Sequence, residues 1–263
     1  MNILDKIIDH KAEEVEVRKM MLPEAALKDS LYFSRRGISL KENLLKPEAT
    51  GIIAEFKRKS PSRGFINQHA CAGTVSKAYT GFGASGLSVL TDHEFFGGSN
   101  EDLVAARVNK IPILRKDFII DPYQLLEAKA IGADVILLIA ACLSKKEVKD
   151  LATFANKLGL EVLLELHEEA ELGHICSEVD LVGINNRNLK TFEVNIAQSI
   201  LLSKSIPADK ITIAESGIDS TATIAIFKEA GYKGFLIGEN FMKEADPGTA
   251  FEQFILSLNK QDN

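Results

Sequence analysis

The sequence predicts an α/β protein, a (β/α)8 TIM barrel with an N-terminal helical extension, in a single domain spanning 1–263. Eight short segments rich in Val, Ile and Leu follow residue 51, and helical stretches separate them. Near-continuous apolar strands are typical of a parallel sheet covered by helices. Eight strand–helix repeats in about 250 residues match a closed barrel. An open doubly wound sheet is the alternative, but it usually carries GxGxxG after its first strand, and this chain has none there.

Alternating strands and helices account for residues 51–263. The three clearest helical segments each end in glycine, which readily adopts the left-handed conformation that closes a helix. These helices are 121–132, 144–159 and 220–231. The predicted strands are 51–57, 85–91, 111–117, 134–140, 161–167, 180–186, 210–216 and 233–239.

Residues 1–48 form the predicted extension. Apolar side chains recur near helical spacing from Ile3 to Val15, which predicts an amphipathic helix over 2–20. A second short helix is predicted around 23–33. The charged, amphipathic start does not resemble a secretory signal.

Composition and charge exclude several classes of function. The net charge of −6 favours neither nucleic acid nor an anionic membrane as a partner. No apolar run approaches the ~18 residues that a membrane-spanning helix needs. The expected partner is a small molecule, and the expected state is a monomer or weak homo-oligomer.

Cysteine and histidine usage points to a cytoplasmic protein without a metal. Cys71, Cys142 and Cys176 are widely spaced and form no CxxC motif, which predicts reduced thiols. The five histidines do not occur at metal-ligand spacing. We expect neither a metal site nor a cofactor.

Charged residues end several of the predicted strands. Glu55 and Lys57 close the first strand, Lys116 the third, Glu165 the fifth and Glu215 the seventh. Residues i and i+2 of a strand point to the same face, so Glu55 and Lys57 share one. Each charge alone would suit a solvated rim. Because buried charge is costly unless it is paired or used, five at the carboxyl ends of barrel strands predict a catalytic mouth.

Glycines after the last two strands suggest an anion site. AESGI (214–218) and LIGEN (236–240) place glycine beside the starts of helices, where barrels commonly bind phosphate. The first loop, KRKSPSRG (57–64), adds basic residues and hydroxyls. A glycine after a strand can also be an ordinary turn, and a basic loop can simply be solvated. The two glycines together favour phosphate.

Seven segments, in order along the chain, resemble indole-3-glycerol phosphate synthases: IIAEFKRKSPSRG, LTDHEFFGGS, PILRKDFIIDPYQ, LLELH, VGINNRNLKTFEV, IAESGI and FLIGENFM. The first and fifth strings are highly specific, whereas IAESGI is shared with related phosphate-binding barrels. The resemblance implies a lyase of tryptophan biosynthesis. It would convert 1-(2-carboxyphenylamino)-1-deoxyribulose 5-phosphate, a phosphosugar joined to anthranilate, into indole-3-glycerol phosphate, carbon dioxide and water.

The resemblance also implies catalytic roles. Lys116 would donate a proton to the ketone oxygen while the anthranilate ring carbon attacks. Lys57 would be the acid of the dehydration, with Glu55 and Glu165 sharing the roles of base and orienting group. The remaining residues assigned to catalysis are Asn185, Glu215 and Ser216.

Further positions carry over as binding residues. The apolar wall for the aromatic ring would come from Phe118, Leu137 and Pro61, although Leu137 fits an ordinary core almost as well. The other binding residues are Ser60, Arg187, Gly217, Gly238 and Glu239.

Glu239 departs from the pattern. Relatives often carry a small residue such as serine there, and a carboxylate would repel a nearby phosphate. We expect its backbone N–H to bind the phosphate while its side chain points outward.

The sequence alone leaves other functions open. A phosphoribosylanthranilate isomerase would favour a cysteine base at the end of the first strand, where this chain has Glu55 and Lys57. A class I-type aldolase would form a Schiff base on Lys116. A silent phosphate-binding protein would keep its glycines and lose its acids and bases, and both sets are present here. Since a fused isomerase domain does not fit after residue 263, we expect a single activity.

Overall fold

The computed structural model describes residues 3–188 and 193–261. In these ranges eight parallel strands form a closed barrel, which confirms the predicted fold. Each strand was predicted at seven residues and has four to six. The strands are β1 (Ile52–Phe56), β2 (Gly86–Leu90), β3 (Ile113–Lys116), β4 (Val135–Ile139), β5 (Glu161–Leu166), β6 (Leu181–Asn185), β7 (Ile211–Glu215) and β8 (Gly234–Ile237).

The barrel closes where β1 meets β8. Ile52, Ile53 and Ala54 lie opposite Phe235, Leu236 and Ile237 in a parallel register. Every other strand pairs with its neighbours in sequence order. All carboxyl ends therefore meet at one edge of the barrel.

Helices cover the outside of the barrel. The three predicted glycine C-caps are confirmed, because Gly132, Gly159 and Gly231 have φ angles of 92°, 70° and 92°. The helices are α1 (Ile3–Met21), α2 (Glu24–Lys28), α3 (Leu40–Leu44), α4 (Ala72–Gly81), α5 (Asn100–Ala106), α6 (Pro122–Ala130), α7 (Lys145–Lys157), α8 (Ile196–Ser203), α9 (Thr221–Glu229), α10 (Glu239–Met242) and α11 (Pro247–Gln261).

The second helix is shorter than predicted. It was expected around 23–33, but α2 ends at Lys28. Asp29 closes it, and Ser30 Oγ donates a hydrogen bond to the Ala130 carbonyl oxygen of α6 at 3.1 Å. This bond joins the chain after α2 to α6.

Helix α3 plugs the amino-terminal end of the barrel. Leu40 and Leu44 are buried against the apolar side chains inside the barrel. A Cβ atom on Gly86 would lie 2.7 Å from Leu40 Cδ1, so glycine is needed for this close approach. Glu161, at the start of β5, accepts a hydrogen bond from the Leu40 backbone N–H at 2.8 Å. The opposite, carboxyl end of the barrel is left for a site.

Helix α1 lies beside that carboxyl end. Lys11 is fully buried, and its Nζ lies 2.7–3.0 Å from carboxylates of Glu14, Asp92 and Asp117. Asp92 follows β2 and Asp117 follows β3, so one lysine joins the helix to two loops of the mouth.

No helix in residues 3–188 and 193–261 is both long and apolar enough to cross a membrane.

Candidate active site

A cavity of about 430 Å³ opens at the carboxyl ends of the strands. All fifteen residues that the sequence suggested for catalysis or binding line it. The structure therefore brings the predicted set together, while the role of each residue stays a prediction. The fifteen are Glu55, Lys57, Ser60, Pro61, Lys116, Phe118, Leu137, Glu165, Asn185, Arg187, Glu215, Ser216, Gly217, Gly238 and Glu239.

Lys116 lies at the centre of the charged residues. Its Nζ donates to Glu165 Oε2 at 2.7 Å and to Glu215 Oε2 at 2.6 Å. Asn185 Nδ2 donates to Glu165 Oε1 at 3.1 Å and fixes that carboxylate from the other side. Alternate strands of a (β/α)8 barrel contribute side chains to the same interior layer. Glu55, Lys116, Glu165 and Glu215 come from β1, β3, β5 and β7, which explains why they meet.

Burial and mutual attraction set the protonation of Lys116, Glu165 and Glu215, which we call the Lys116 triad. Burial opposes the charge on Lys116, but Glu165, Glu215 and Glu55 outweigh it and raise the lysine pKa. Burial likewise opposes ionisation of Glu165, yet Lys116 and His167 hold its pKa well below the ordinary value. For Glu215, burial and the Glu165 charge outweigh Lys116 and raise the pKa to about 7. Near neutral pH the triad thus holds an ammonium, a carboxylate and a carboxyl group close to its titration point.

Glu55 and Lys57 form a second charged pair. Lys57 Nζ lies 2.8 Å from Glu55 Oε1, which confirms that the two side chains share a face. Ser88 Oγ on β2 contacts Glu55 Oε2 at 3.5 Å. An acid and a base are therefore held together at the carboxyl end of β1, in the same cavity as Lys116, Glu165 and Glu215.

Two glycines make room for the glutamates, and sequence reasoning identified only one of them as a site residue. A Cβ atom on Gly238 would lie 2.9 Å from Glu55 Cβ. A Cβ atom on Gly183, inside β6, would overlap Glu215 Oε1. Glycine in the interior of a strand often marks a close approach, and that signal could have identified Gly183.

The loops after β7 and β8 form the candidate anion site. Ser216 has a φ of 67°, which is costly for a residue with a side chain, and Gly217 follows with a φ of 68°. Asn186 Nδ2 donates to the Ser216 carbonyl oxygen at 2.7 Å and holds this turn. After β8, Gly238 leads directly into the four-residue helix α10. Strained backbone beside a cavity is typical of ligand-binding sites.

The Glu239 side chain pairs with two arginines, and its expected outward direction stays a prediction. Its Oε1 lies 3.1 Å from Arg63 Nε, and its Oε2 lies 3.7 Å from Arg187 Nη2. All three residues line the cavity. Two positive charges from other loops therefore offset the charge of this carboxylate, a pairing that the spacing of the chain did not reveal.

The apolar wall is larger than the sequence indicated. The Phe118 ring packs on Phe96 with centroids 5.9 Å apart, beside Leu137. Helix α1 adds Ile3, Leu4 and Ile7 to the lining. Their amphipathic spacing was visible, but the surface they cover depends on where the helix docks. Residues 189–192 of the motif VGINNRNLKTFEV lie outside the described ranges.

The cysteine nearest to β1 in sequence lies at the surface. Cys71 is exposed at the start of α4, and the end of β1 carries Glu55 and no thiol. Among the described residues, no group of three or more His, Cys, Asp or Glu side chains could hold a metal ion.

Comparison with known proteins gives the family. A sequence model of the indole-3-glycerol phosphate synthase family matches residues 4–254. The chain is 45% identical to indole-3-glycerol phosphate synthase of Bacteroides thetaiotaomicron over 258 residues, 98% of this chain and 99% of the relative. It is 40% identical to the Bordetella pertussis protein of that name, over 97% and 99% of the two chains.

Solved structures share the fold at low identity. Tryptophan synthase subunit alpha of Legionella pneumophila superposes with a TM-score of 0.60 over 84% of this chain and 97% of that chain, at 14% identity. That likeness concerns the barrel alone, whereas the sequence matches cover nearly the whole chain. By the family match and the identity to its relatives, this chain belongs to the indole-3-glycerol phosphate synthase family.

Proposed function

We propose that this chain is an indole-3-glycerol-phosphate synthase, a carboxy-lyase that acts on 1-(2-carboxyphenylamino)-1-deoxyribulose 5-phosphate in tryptophan biosynthesis. The observation that carries this proposal is the buried Lys116, which lies 2.7 Å from Glu165 and 2.6 Å from Glu215 in a cavity with an apolar wall. Ring closure needs a proton donor at a ketone oxygen, and this lysine is held charged.

Ring closure is the first step. The anthranilate ring carbon that bears the carboxylate attacks the ketone carbon, and the ketone oxygen takes a proton from Lys116 Nζ. A tertiary alkoxide is a stronger base than an amine, so a lysine with a raised pKa can still give up its proton. Loss of carbon dioxide then restores the aromatic ring. Phe118 and the apolar residues of α1 shield this part of the substrate from water.

Dehydration is the second step. Lys57 protonates the departing hydroxyl group, and Glu55, 2.8 Å away, orients it. Glu165 accepts the proton that the substrate loses, because it is the ionised carboxylate of the Lys116 triad. Asn185 orients Glu165, and Glu215 orients Lys116.

The substrate phosphate binds between the loops after β7 and β8, at Ser216, Gly217 and Gly238. Ser60 on the first loop and the arginines around Glu239 complete this end of the cavity. Helix starts and glycine turns offer backbone N–H groups to anions.

The cellular location and the oligomeric state are part of the same proposal. We infer a cytoplasmic enzyme that is a monomer or a weak homo-oligomer, with the small phosphosugar–anthranilate as its partner. The three free thiols suit a reducing compartment.

The test is to incubate the purified chain with the substrate, without added metal or cofactor. We expect indole fluorescence and one equivalent of carbon dioxide, with no product from Lys116→Ala. The chain contains no Trp, so the protein background is low. Folded wild-type protein that makes no product would refute the proposal. Borohydride trapping of an adduct on Lys116 would instead favour the aldolase mechanism.

A further inference from the structure

Two aromatic rings of the active-site wall come from different loops. Phe96 follows β2 and Phe118 follows β3, and both residues line the active-site cavity. Their ring centroids lie 5.9 Å apart, with the two ring planes tilted by 38°. Loops hold their positions less firmly than strands do, so a fixed distance between these rings needs an anchor that both loops share.

A carboxylate holds the backbone of each aromatic residue. Asp92 Oδ1 accepts hydrogen bonds from the backbone N–H groups of Phe95 at 2.8 Å and of Phe96 at 3.2 Å. Asp117 Oδ1 accepts a hydrogen bond from the backbone N–H of Phe118 at 2.8 Å. Each ring of the wall is thus tied to its own aspartate.

Lys11 joins the two aspartates. Its Nζ lies 2.9 Å from Asp92 Oδ2 and 3.0 Å from Asp117 Oδ1, and all three side chains are fully buried. Two buried carboxylates that lie this close to one point repel each other unless a cation lies between them. Lys11 therefore fixes the distance between the two loops that carry Phe96 and Phe118.

The same lysine docks the helix that completes this wall. Ile7 lies one turn before Lys11 in α1, so the two side chains share a face of the helix. Ile7 is buried and lines the cavity. His10 packs edge-on against the ring of Phe95, with centroids 5.7 Å apart. Helix α1 and the loops after β2 and β3 therefore meet around Lys11.

We propose that Lys11 is a positioning residue for the aromatic ring of the substrate, because it holds Phe96, Phe118 and α1 at a fixed spacing. The inference rests on the proposed function, which places an anthranilate ring against this wall. Lys11 does not line the cavity and acts through Asp92 and Asp117.

The position of Lys11 predicts which part of the substrate it affects. The proposed phosphate site lies on the loops after β7 and β8, whereas the lysine pairs with the loops after β2 and β3. Loss of the lysine should loosen the contacts around the aromatic ring, and close packing is what gives such contacts their strength. A positioning role therefore weakens ring binding and spares phosphate binding, whereas general damage to the fold would weaken both.

The test measures binding of two probes to wild type and to Lys11→Met. Anthranilate is followed by its own fluorescence, and inorganic phosphate by phosphorus NMR. We expect the Kd for anthranilate to rise about fivefold or more, the size of one lost aromatic contact, while the Kd for phosphate stays within about twofold.

Arg107→Met is the matched control. The Arg107 guanidinium is buried and pairs with the buried Asp134, just before β4 at the amino-terminal end of the barrel. This variant also removes a buried cation, but it does so at the end of the barrel opposite the aromatic wall. Both Kd values should therefore match those of wild type.

Asp92→Ala tests the same contacts if Lys11→Met does not fold. It leaves Lys11 beside Glu14 and Asp117 and releases the backbone of Phe96, so anthranilate binding alone should weaken. Unchanged anthranilate binding in the folded variant, or equal weakening for both probes, would overturn the positioning role. Failure of the proposed function is a separate outcome, because wild type would then make no product whatever Lys11→Met binds.

Discussion

Replacing Lys11 by methionine should destabilise the protein strongly. Methionine keeps most of the side-chain volume and removes the charge. Lys11 is fully buried, and so are Asp92 and Asp117, whose carboxylates lie 2.9 Å and 3.0 Å from its Nζ. The substitution removes one cation from beside these two buried carboxylates.

The two aspartates are affected unequally. Asp117 keeps Arg115 at 3.1 Å and the Thr91 hydroxyl at 2.6 Å. Asp92 keeps only backbone N–H donors on its Oδ1, while its Oδ2 faced the lysine. Breaking a buried ion pair on one side costs about 3–5 kcal/mol. We expect a loss in the free energy of unfolding of about that size.

The measurement is urea unfolding of Lys11→Met, Asp92→Asn and the double variant at neutral pH. The double variant should recover much of the loss, since no unpaired Asp92 charge remains. Lys6→Met, on the exposed side of the same helix, is the control and should change stability by less than about 0.5 kcal/mol.

The pH dependence has a definite sign. Burial opposes ionisation of Asp117, but Lys11 and Arg115 hold its pKa below the ordinary value. Such a carboxylate stabilises the fold at neutral pH, and the stabilisation is lost as the pH falls through its folded pKa. The margin of wild type over Lys11→Met should therefore shrink in acid. If Lys11→Met loses less than about 1 kcal/mol of unfolding free energy at neutral pH, or if the double variant recovers none of the loss, Lys11 does not stabilise the fold through these buried ion pairs.

Three further changes probe the mouth. Gly183→Ala should displace Glu215 and lower kcat about tenfold or more, with the fold retained by circular dichroism; wild-type kcat would show that Glu215 needs no such space. Glu239→Gln should strengthen competitive inhibition by inorganic phosphate about fivefold, because one negative charge that repels the anion from near 4 Å in water is removed. Unchanged inhibition by phosphate would count against the anion site. Glu215→Gln should gain stability relative to wild type as the pH rises from 5 to 8: burial raises the Glu215 pKa to about 7, so only wild type must ionise a disfavoured group in that window. If the difference in unfolding free energy between Glu215→Gln and wild type is the same at pH 5 and pH 8, this expectation is wrong.

Local pattern carried most of the prediction. Apolar strands, glycine caps and charged strand ends are properties of neighbouring residues, so the barrel and the five charged residues at its mouth could be predicted from them. The remaining site residues, such as Phe118 and Arg187, came from the resemblance to the family. Glu55 and Lys57 are two residues apart, and their shared face follows from strand geometry alone.

The features that were missed depend on long-range docking. Lys11 meets Asp92 and Asp117 only because α1 crosses the loops of β2 and β3. Glu239 pairs with Arg63, which lies on a loop distant in sequence. The contact of His167 with Glu165 was missed because a lone histidine after a strand has no spacing that marks it.

Lys116 is the proposed acid of ring closure, and a pair of glutamine variants tests this role. Lys116→Gln and the exposed control Lys77→Gln are compared with wild type for substrate binding and for the appearance of indole fluorescence. We expect Lys116→Gln to bind substrate within a few-fold of wild type while its kcat falls by a factor of about 10² to 10⁴, and Lys77→Gln to match wild type. Turnover of Lys116→Gln close to the wild-type rate would rule out Lys116 as this acid.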